Sequence, residues 1–394
     1  MDSIVKQGRP AWVEIDLDAI GHNIDIIKSN LSDGCALCGV VKADAYGHGL
    51  EKVAGLLIEK GVSTLATATV EEGLQLRRLY PQVRILVLSL VHPRQISQVL
   101  KGGLITCVSN RVYADALSEE ACRQGVLAPV FAAVDTGMGR IGFLSEEEDT
   151  VCAIKELSVL PGLDFLGVLS HFGGSNDISP EGLAYTDLQS ARFARLREKL
   201  LAAGVALGES TICNSFAALT RPKDHYQLCR TGAVMFGSYE DTLMPRFGFR
   251  PAMSVKALIM HIKTVPEGSY IGYNRISRTQ KATRIGTLNI GYADGIPRNW
   301  SCGVGYVLVN GKKAPILGPL CMDQLMIDLS AVPQAQLYDE AVLIGESGGL
   351  RISADEMGET TGSFFDTIVT AMSLRLPYYY RKDGILTEGN ETNR

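Results

Sequence analysis

Between about residue 11 and residue 240 the apolar positions fall into short runs: AWVEIDL, CALCGVVK, STLATAT, RILVLSL, LITCVS, APVFAAVDT, LDFLGVLSHF, STICNS and YQLCRTGAVMFG. Runs of this length with little polar alternation read as strands covered on both faces. The stretches between them, such as LEKVAGLLIEKG and DLQSARFARLREKLLAAG, carry apolar residues three and four apart and close on glycine, the pattern of amphipathic helices. Strand and helix alternating at this spacing predict a parallel sheet clothed by helices. With eight or nine such units in one stretch and no dinucleotide-type glycine fingerprint, a closed (β/α)8 TIM-type barrel fits better than an open doubly wound sheet.

After about residue 245 the texture changes. SVKALIMHIKTV, TRIGTLNIGYAD, GYVLVNGKKAPILG, QLMIDLS and EAVLIG are strand-like runs split by Gly, Pro and Asn-Gly turns. They predict a separate, mainly-β domain. At 394 residues and 46% hydrophobic, the chain is longer than a single core supports, which agrees with two domains. We expect a barrel over 1–244 and a β domain over 245–394, with the first ten or so residues candidates to pack with the β domain. The tail KDGILTEGNETNR is polar enough to fray.

Charge narrows the function. The formal net charge of −5 comes from 38 basic and 43 acidic residues that are well mixed, which gives no footprint for nucleic acid or an anionic membrane. No stretch approaches a membrane-spanning length and the N-terminus lacks a leader pattern, so a cytoplasmic protein acting on a small molecule is expected. Nine cysteines, an odd count, read as free thiols. Cys35 and Cys38 form a CxxC with no partner pair, and are expected as buried strand thiols rather than a metal site; no metal is expected elsewhere.

In a parallel barrel the reactive groups gather where strands end. Lys42 closes the run CGVVK, and a lysine in such a mouth serves as an amine nucleophile toward a carbonyl cofactor. Arg140 follows a strand in a Gly-rich loop, His171 ends another, and Asn214 and Ser215 stand at a strand-to-helix turn. Arg230 precedes Gly232, which leaves the amides around Ala233 open; with Ser215 they resemble an anion cup. Each has a plainer reading: a satisfied buried histidine, an N-cap serine, an arginine in an ion pair. Their convergence on one face favours the functional one.

The segments VVKADAYGHG, VDTGMGRIG, SHF, CNS, CRTGAVMFG, IGYNR, NIGYADGIPR and GPLCMDQLMIDL, in this order, resemble the pyridoxal 5'-phosphate (PLP)-dependent alanine racemase family over nearly the whole chain. The resemblance implies an isomerase that interconverts L- and D-alanine, supplying D-alanine for peptidoglycan, and a homodimer with shared active sites. It implies that Lys42 forms the Schiff base with the cofactor and serves as a base on one face of the substrate Cα. Tyr273, from the partner subunit, serves on the other. Tyr46, Ser215 and the amides of Gly232 and Ala233 would hold the phosphate, with Asn214 and His171 also at the cofactor and Arg230 facing the pyridine nitrogen. An arginine keeps its proton, so that nitrogen stays unprotonated and the cofactor is a weaker electron sink. Arg140 and the Met322 amide match the substrate carboxylate site, Asp323 backs up that loop, and Tyr292 and Arg298 match a narrow entry.

Two departures stand out. Ala133 occupies the place where many members carry a carbon dioxide-modified lysine that positions the arginine, so Arg140 needs another means of orientation. Asp366 falls where a phosphate-contacting tyrosine is expected, which raises serine or a broader range of amino acids as alternative substrates. A barrel-type PLP decarboxylase is the more distant alternative; it calls for an acid where Arg230 stands. A barrel acting only as a PLP carrier would need neither the β domain nor Tyr273.

Overall fold

The computed structural model describes residues 8–238 and 243–389; the expectations for residues 1–7 and for the last residues of the tail lie outside these. The described residues divide into two compact units, one of 24–45 and 50–235, the other of 8–23, 46–49, 236–238 and 243–389.

The first unit is the barrel. Its strands are Ala36–Val40, Thr64–Thr67, Arg84–Val87, Ile105–Val108, Ala128–Asp135, Leu163–Leu169, Glu209–Thr211 and Leu228–Thr231, each parallel to the strands it pairs with. Strand Leu228–Thr231 returns to pair with Ala36–Val40, and Arg230 N donates to Cys213 O at 3.2 Å to close the ring against the preceding strand's end. The short apolar runs suit this position because strands such as Thr64–Thr67 and Ile105–Val108 are buried at every residue.

The intervening helices begin and end where side-chain chemistry dictates. Thr69, Asn110 and Ser179 each accept a backbone N–H three residues on, at the starts of Val70–Leu79, Arg111–Gln124 and Pro180–Ala202. Gly103 and Gly125, at φ of 55° and 67°, end two helices in the left-handed conformation. Helix Pro180–Ala202 buries Phe193, Leu196 and Leu200 among Ala132 and Val168 of the strands and Ile212 just past one, which anchors it beside the barrel.

The second unit is built on a ten-stranded sheet. Its longest strand, Met253–Val265, pairs along one half with Glu340–Ser347 and along the other with Thr283–Leu288, with a register shift at Val255/Lys256 in the first pairing and at Ile259/His261 in the second. Strands Tyr306–Val309 and Lys312–Leu317 form a hairpin through Asn310 and Gly311, whose φ values of 48° and 73° are those of a type I′ turn. Here the Asn-Gly signal did its expected work.

One run went to the other sheet. Ala11–Asp16, the AWVEIDL run counted with the barrel pattern, pairs antiparallel with Met253–Val265 and parallel with Tyr378–Lys382. Its first five residues are buried, so its apolar pattern is that of a strand covered on both faces in either sheet, and only its partners distinguish them. Among the described residues no helix is long and apolar enough to cross a membrane.

Candidate active site

Lys42 lies half-buried two residues beyond strand Ala36–Val40, where the chain turns sharply. The turn is left-handed: Ala43, Asp44, Ala45 and Tyr46 have φ of 52°, 55°, 54° and 54°, and Gly47 follows at 74°. Four successive non-glycine residues in this region cost roughly 4–8 kcal/mol, so surrounding contacts must hold them. Ala45 N donates to Val41 O at 2.9 Å, Leu50 N to Asp44 Oδ1 at 2.7 Å, and Ala43 N to Glu72 Oε1 at 2.7 Å.

Residues 46–49 belong to the second unit and are tightly fitted there. Tyr46 packs on Phe236 with ring centres 5.5 Å apart, and His48 stacks on the same ring at 4.2 Å. His48 Nδ1 is 2.8 Å from Tyr46 O. A Cβ at Gly47 would lie 2.3 Å from Val369 O, and one at Gly49 would lie 2.0 Å from the Tyr380 hydroxyl oxygen, so both glycines are needed for close approach.

Across the barrel interior, Arg230 is 3% exposed. It donates to Thr211 Oγ1, to Ser170 O at 2.6 Å and toward His171 Nδ1 at 3.0 Å. All three partners are neutral acceptors, and among the described residues no carboxylate pairs with this guanidinium. Burial draws its pKa below the ordinary arginine range. Burial also holds the His171 imidazole far below its ordinary pKa, reinforced by the positive charges of Arg230, Arg140 and Lys42. The imidazole is therefore neutral, with Nδ1 accepting from Arg230. Lys42, Arg140, His171 and Arg230 thus share one electrostatic environment at the strand ends.

Gly232 N donates to Ser215 Oγ at 2.9 Å, which joins two of the strand ends and leaves the Ser215 hydroxyl proton for another acceptor. Ala233 opens the short 3-10 turn Ala233–Phe236 next to it. Asn214 turns its side-chain oxygen to Ser175 Oγ at 2.8 Å and Ala217 N at 3.1 Å, so that oxygen shapes the turn.

The Arg140 loop is clasped by Asp135, whose Oδ1 accepts from Gly137 N at 2.8 Å and Gly139 N at 3.1 Å. Helix Pro180–Ala202 holds the loop from the other side. Tyr185 donates to Gly137 O at 2.5 Å and Arg192 to Thr136 O at 3.2 Å, while Gln189 links Thr136, the His171 carbonyl and Gly173 N. Arg140 is exposed and makes no hydrogen bond or ion pair among the described residues; Ala133, 1% exposed, gives it none. Sequence reasoning passed over Asp135, Gln189 and Glu72. Asp135 precedes two glycines and Glu72 completes a Thr-x-x-Glu capping box, so each carried a local signal, whereas the long-range contacts of Gln189 left none.

The remaining candidates lie in the second unit. Tyr273 begins a short turn after Gly272 and is 62% exposed. Met322 is also exposed, and its carbonyl accepts from Ala293 N at 3.0 Å beside the bond from Tyr292 N to Cys321 O at 3.2 Å. The Arg298 guanidinium lies 5.7 Å from the centre of the Tyr292 ring. Asp323 accepts from Arg375 at 2.5 Å, and Arg375 also faces the fully buried Asp294 at 3.6 Å. Asp294 in turn binds Arg9 and accepts from Gly291 N at 2.9 Å, which ties Tyr292, Met322, Asp323 and Arg298 into one loop cluster. Asp366 lies exposed on helix Phe365–Thr370, where its carbonyl accepts from Thr370 Oγ1.

The CxxC cysteines part company. Cys38 is buried within its strand and burial pushes its thiol up to about 12. Cys35 is half-buried just before the strand, where its thiol, that of Cys229 and a His225 ring nitrogen lie within 4.8 Å of one another. These groups are already engaged: Cys35 and Cys229 donate to His225 O at 3.1 and 3.8 Å, Ser32 N donates to His225 Nδ1, and His225 Nε2 meets Ala218 O at 2.9 Å.

Known proteins resemble the chain in both of its units. Residues 15–240 match the model of the alanine racemase N-terminal domain and residues 252–380 that of the C-terminal domain. An alanine racemase of Clostridium kluyveri is 37% identical over 378 residues, 95% of each chain. The solved alanine racemase of Clostridium difficile 630 superposes with a TM-score of 0.90 at 32% identity, covering 98% of this chain and all of that one. That of Bacillus anthracis, solved with bound L-Ala-P, gives 0.90 at 33% identity over 98% and 99% of the two chains. Both domain models match in order and the likeness extends over nearly the whole of each relative: the chain belongs to the alanine racemase family.

Proposed function

We propose that the protein interconverts L- and D-alanine with PLP, the cofactor of its family, held at the barrel mouth. The observation that carries this reading is Arg230: a buried guanidinium whose partners are all neutral acceptors, in a mouth where Lys42 and Arg140 also bear on His171. A buried, uncompensated cation is costly. A phosphate-bearing ligand with a neutral ring nitrogen offsets that charge, and the donor set fits such a group.

When bound, the cofactor withdraws electron density from the substrate Cα and so makes its C–H acidic. Lys42 would hold the cofactor covalently through its amine until the substrate's own amine displaces it, and the amine so freed would take or return the Cα proton on one face. Tyr273 does so on the other, so that a proton leaves one face and arrives on the opposite one. Ser215, Tyr46 and the amides of Gly232 and Ala233 bind the phosphate, with Asn214 shaping their turn. His171, neutral, would stand on the ring side of the bound cofactor. Arg230 retains its proton and so supplies a hydrogen bond, not a proton, to the ring nitrogen. Arg140 and the Met322 amide hold the substrate carboxylate, Asp323 steadies that loop through Arg375, and Tyr292 with Arg298 narrows the way in for a small side chain.

We read the working form as a cytoplasmic homodimer in which Tyr273 of one subunit serves the barrel of the other, over a domain division near residue 244. The exposure of Tyr273 and Met322 on the β unit supports an assembled site. D-alanine for peptidoglycan is the product such an enzyme supplies. An arginine at position 230, where a barrel-type decarboxylase calls for an acid, disfavours decarboxylation.

The test is incubation of the purified protein with L-alanine or D-alanine and analysis by chiral chromatography. Both starting enantiomers should approach equal amounts of the two forms; release of carbon dioxide contradicts the reading. Lys42→Ala should abolish both interconversion and the absorbance near about 420 nm expected of lysine-bound cofactor. A retained band would assign the amine elsewhere.

A further inference from the structure

Glu72 is absent from the set of residues proposed to touch cofactor or substrate, yet its carboxylate bridges two strand ends. One oxygen accepts from Ala43 N at 2.7 Å. The other accepts from Ala68 N at 2.8 Å and Thr69 N at 3.1 Å. The bond to Thr69 is half of a capping box, completed by Glu72 N donating to Thr69 Oγ1 at 3.2 Å. A capping box requires nothing of Ala43.

Ala43 is the residue after Lys42 and the first of the left-handed turn. It leaves a strand whose Val40 pairs with Ala66, on the neighbouring strand whose end Glu72 also grips. The carboxylate therefore fixes the exit of one strand against the exit of the next. An ionised acceptor makes a stronger bond to an amide than a neutral one does. It acts at the point where an alanine must adopt a backbone conformation it rarely takes. If Ala43 relaxed to an ordinary conformation, the direction of the chain leaving Lys42 would change with it.

We propose that Glu72 is a positioning residue for Lys42, holding the left-handed turn at Ala43 so that the lysine amine is set toward the cofactor. The inference rests on the reading above that Lys42 binds the cofactor. Two properties should depend on Glu72: protection of the turn's amides before the cofactor is added, and affinity for the cofactor itself.

The rival explanation, that Glu72 only caps helix Val70–Leu79, is separated by Thr69→Ala, which removes the other half of the capping box and leaves the bond to Ala43. Hydrogen exchange read by mass spectrometry over residues 41–49 of cofactor-free protein, and cofactor dissociation constants from absorbance titration, are compared for the wild type, Glu72→Ala, Glu72→Gln and Thr69→Ala. Glu72→Ala should speed exchange in the turn and weaken cofactor binding by about tenfold or more, the scale of a lost hydrogen bond to a charged group. Glu72→Gln, which keeps one acceptor oxygen, should fall between. Thr69→Ala should lower the melting temperature yet leave both readouts within about twofold of wild type. The proposal is overturned if Glu72→Ala matches wild type in both readouts, or if Thr69→Ala reproduces its losses. Should Glu72→Ala fail to fold, Glu72→Gln decides by the same comparison. Failure of the wild type itself to bind cofactor would count against the proposed function, while the exchange rates would still decide whether Glu72 holds the turn.

Discussion

His171 shows how far a single side chain reports on the chemistry around it. Burial and the charges of Arg230, Arg140 and Lys42 all disfavour its protonated form, so its folded-state pKa lies well below the 6.5 of an unperturbed imidazole. Below pH 6.5 the unfolded chain then binds a proton that the folded chain refuses, and stability falls as pH falls through that range. We predict that the melting temperature declines from pH 7 to pH 5 and that His171→Asn, which cannot take up that proton, flattens part of the decline; an identical slope in the variant would mean that His171 is not held neutral. The residue was legible in the sequence because it follows an apolar run, as Lys42 and Arg230 do. The left-handed turn after Lys42 was not. Ala43, Asp44, Ala45 and Tyr46 carry no glycine to announce positive φ, and the contact from Glu72 that helps to hold their conformation comes from outside any local window.

At the scale of elements, the loops of the β unit depend on one close approach. A Cβ on Gly291 would lie 2.4 Å from both Cys321 O and Met322 O, so the loop bearing the proposed carboxylate-binding amide can sit where it does only because residue 291 has no side chain. Gly291→Ala should therefore displace that loop and raise KM for alanine by about tenfold, with a smaller effect on kcat, since misplacement of a positioning group weakens substrate capture. Steady-state kinetics in both directions check this, and an unchanged KM would remove the Cys321–Met322 loop from substrate binding. The hairpin at Asn310-Gly311 could be read directly, because its turn type demands those residues. Strand Ala11–Asp16 could not be assigned to its sheet, since burial on both faces erases the alternation that would have distinguished it from a barrel strand.

At the scale of the whole molecule, the barrel was foreseen from its periodicity and the β unit from its turns, whereas the proposed assembly rests on indirect support such as the exposure of Tyr273 and Met322. The proposed sharing of sites between subunits makes a prediction that neither unit makes alone. Lys42→Ala and Tyr273→Phe should each be nearly inactive, but dissociated and reassembled together they should recover up to about a quarter of wild-type activity, because half of the dimers would be mixed and each would hold one intact site. No recovery on verified exchange of subunits would place both residues in sites formed within one chain.

In the proposed reaction a proton leaves one face of Cα and another arrives on the opposite face. It is tested most directly by following L-alanine and D-alanine separately in deuterated water, recording optical rotation and Cα exchange by NMR in the same sample. Rotation should decay to zero from either side while deuterium enters Cα of the newly formed enantiomer, with no loss of total alanine. Rotation that persists while deuterium enters Cα, or alanine consumed with release of carbon dioxide, would contradict it.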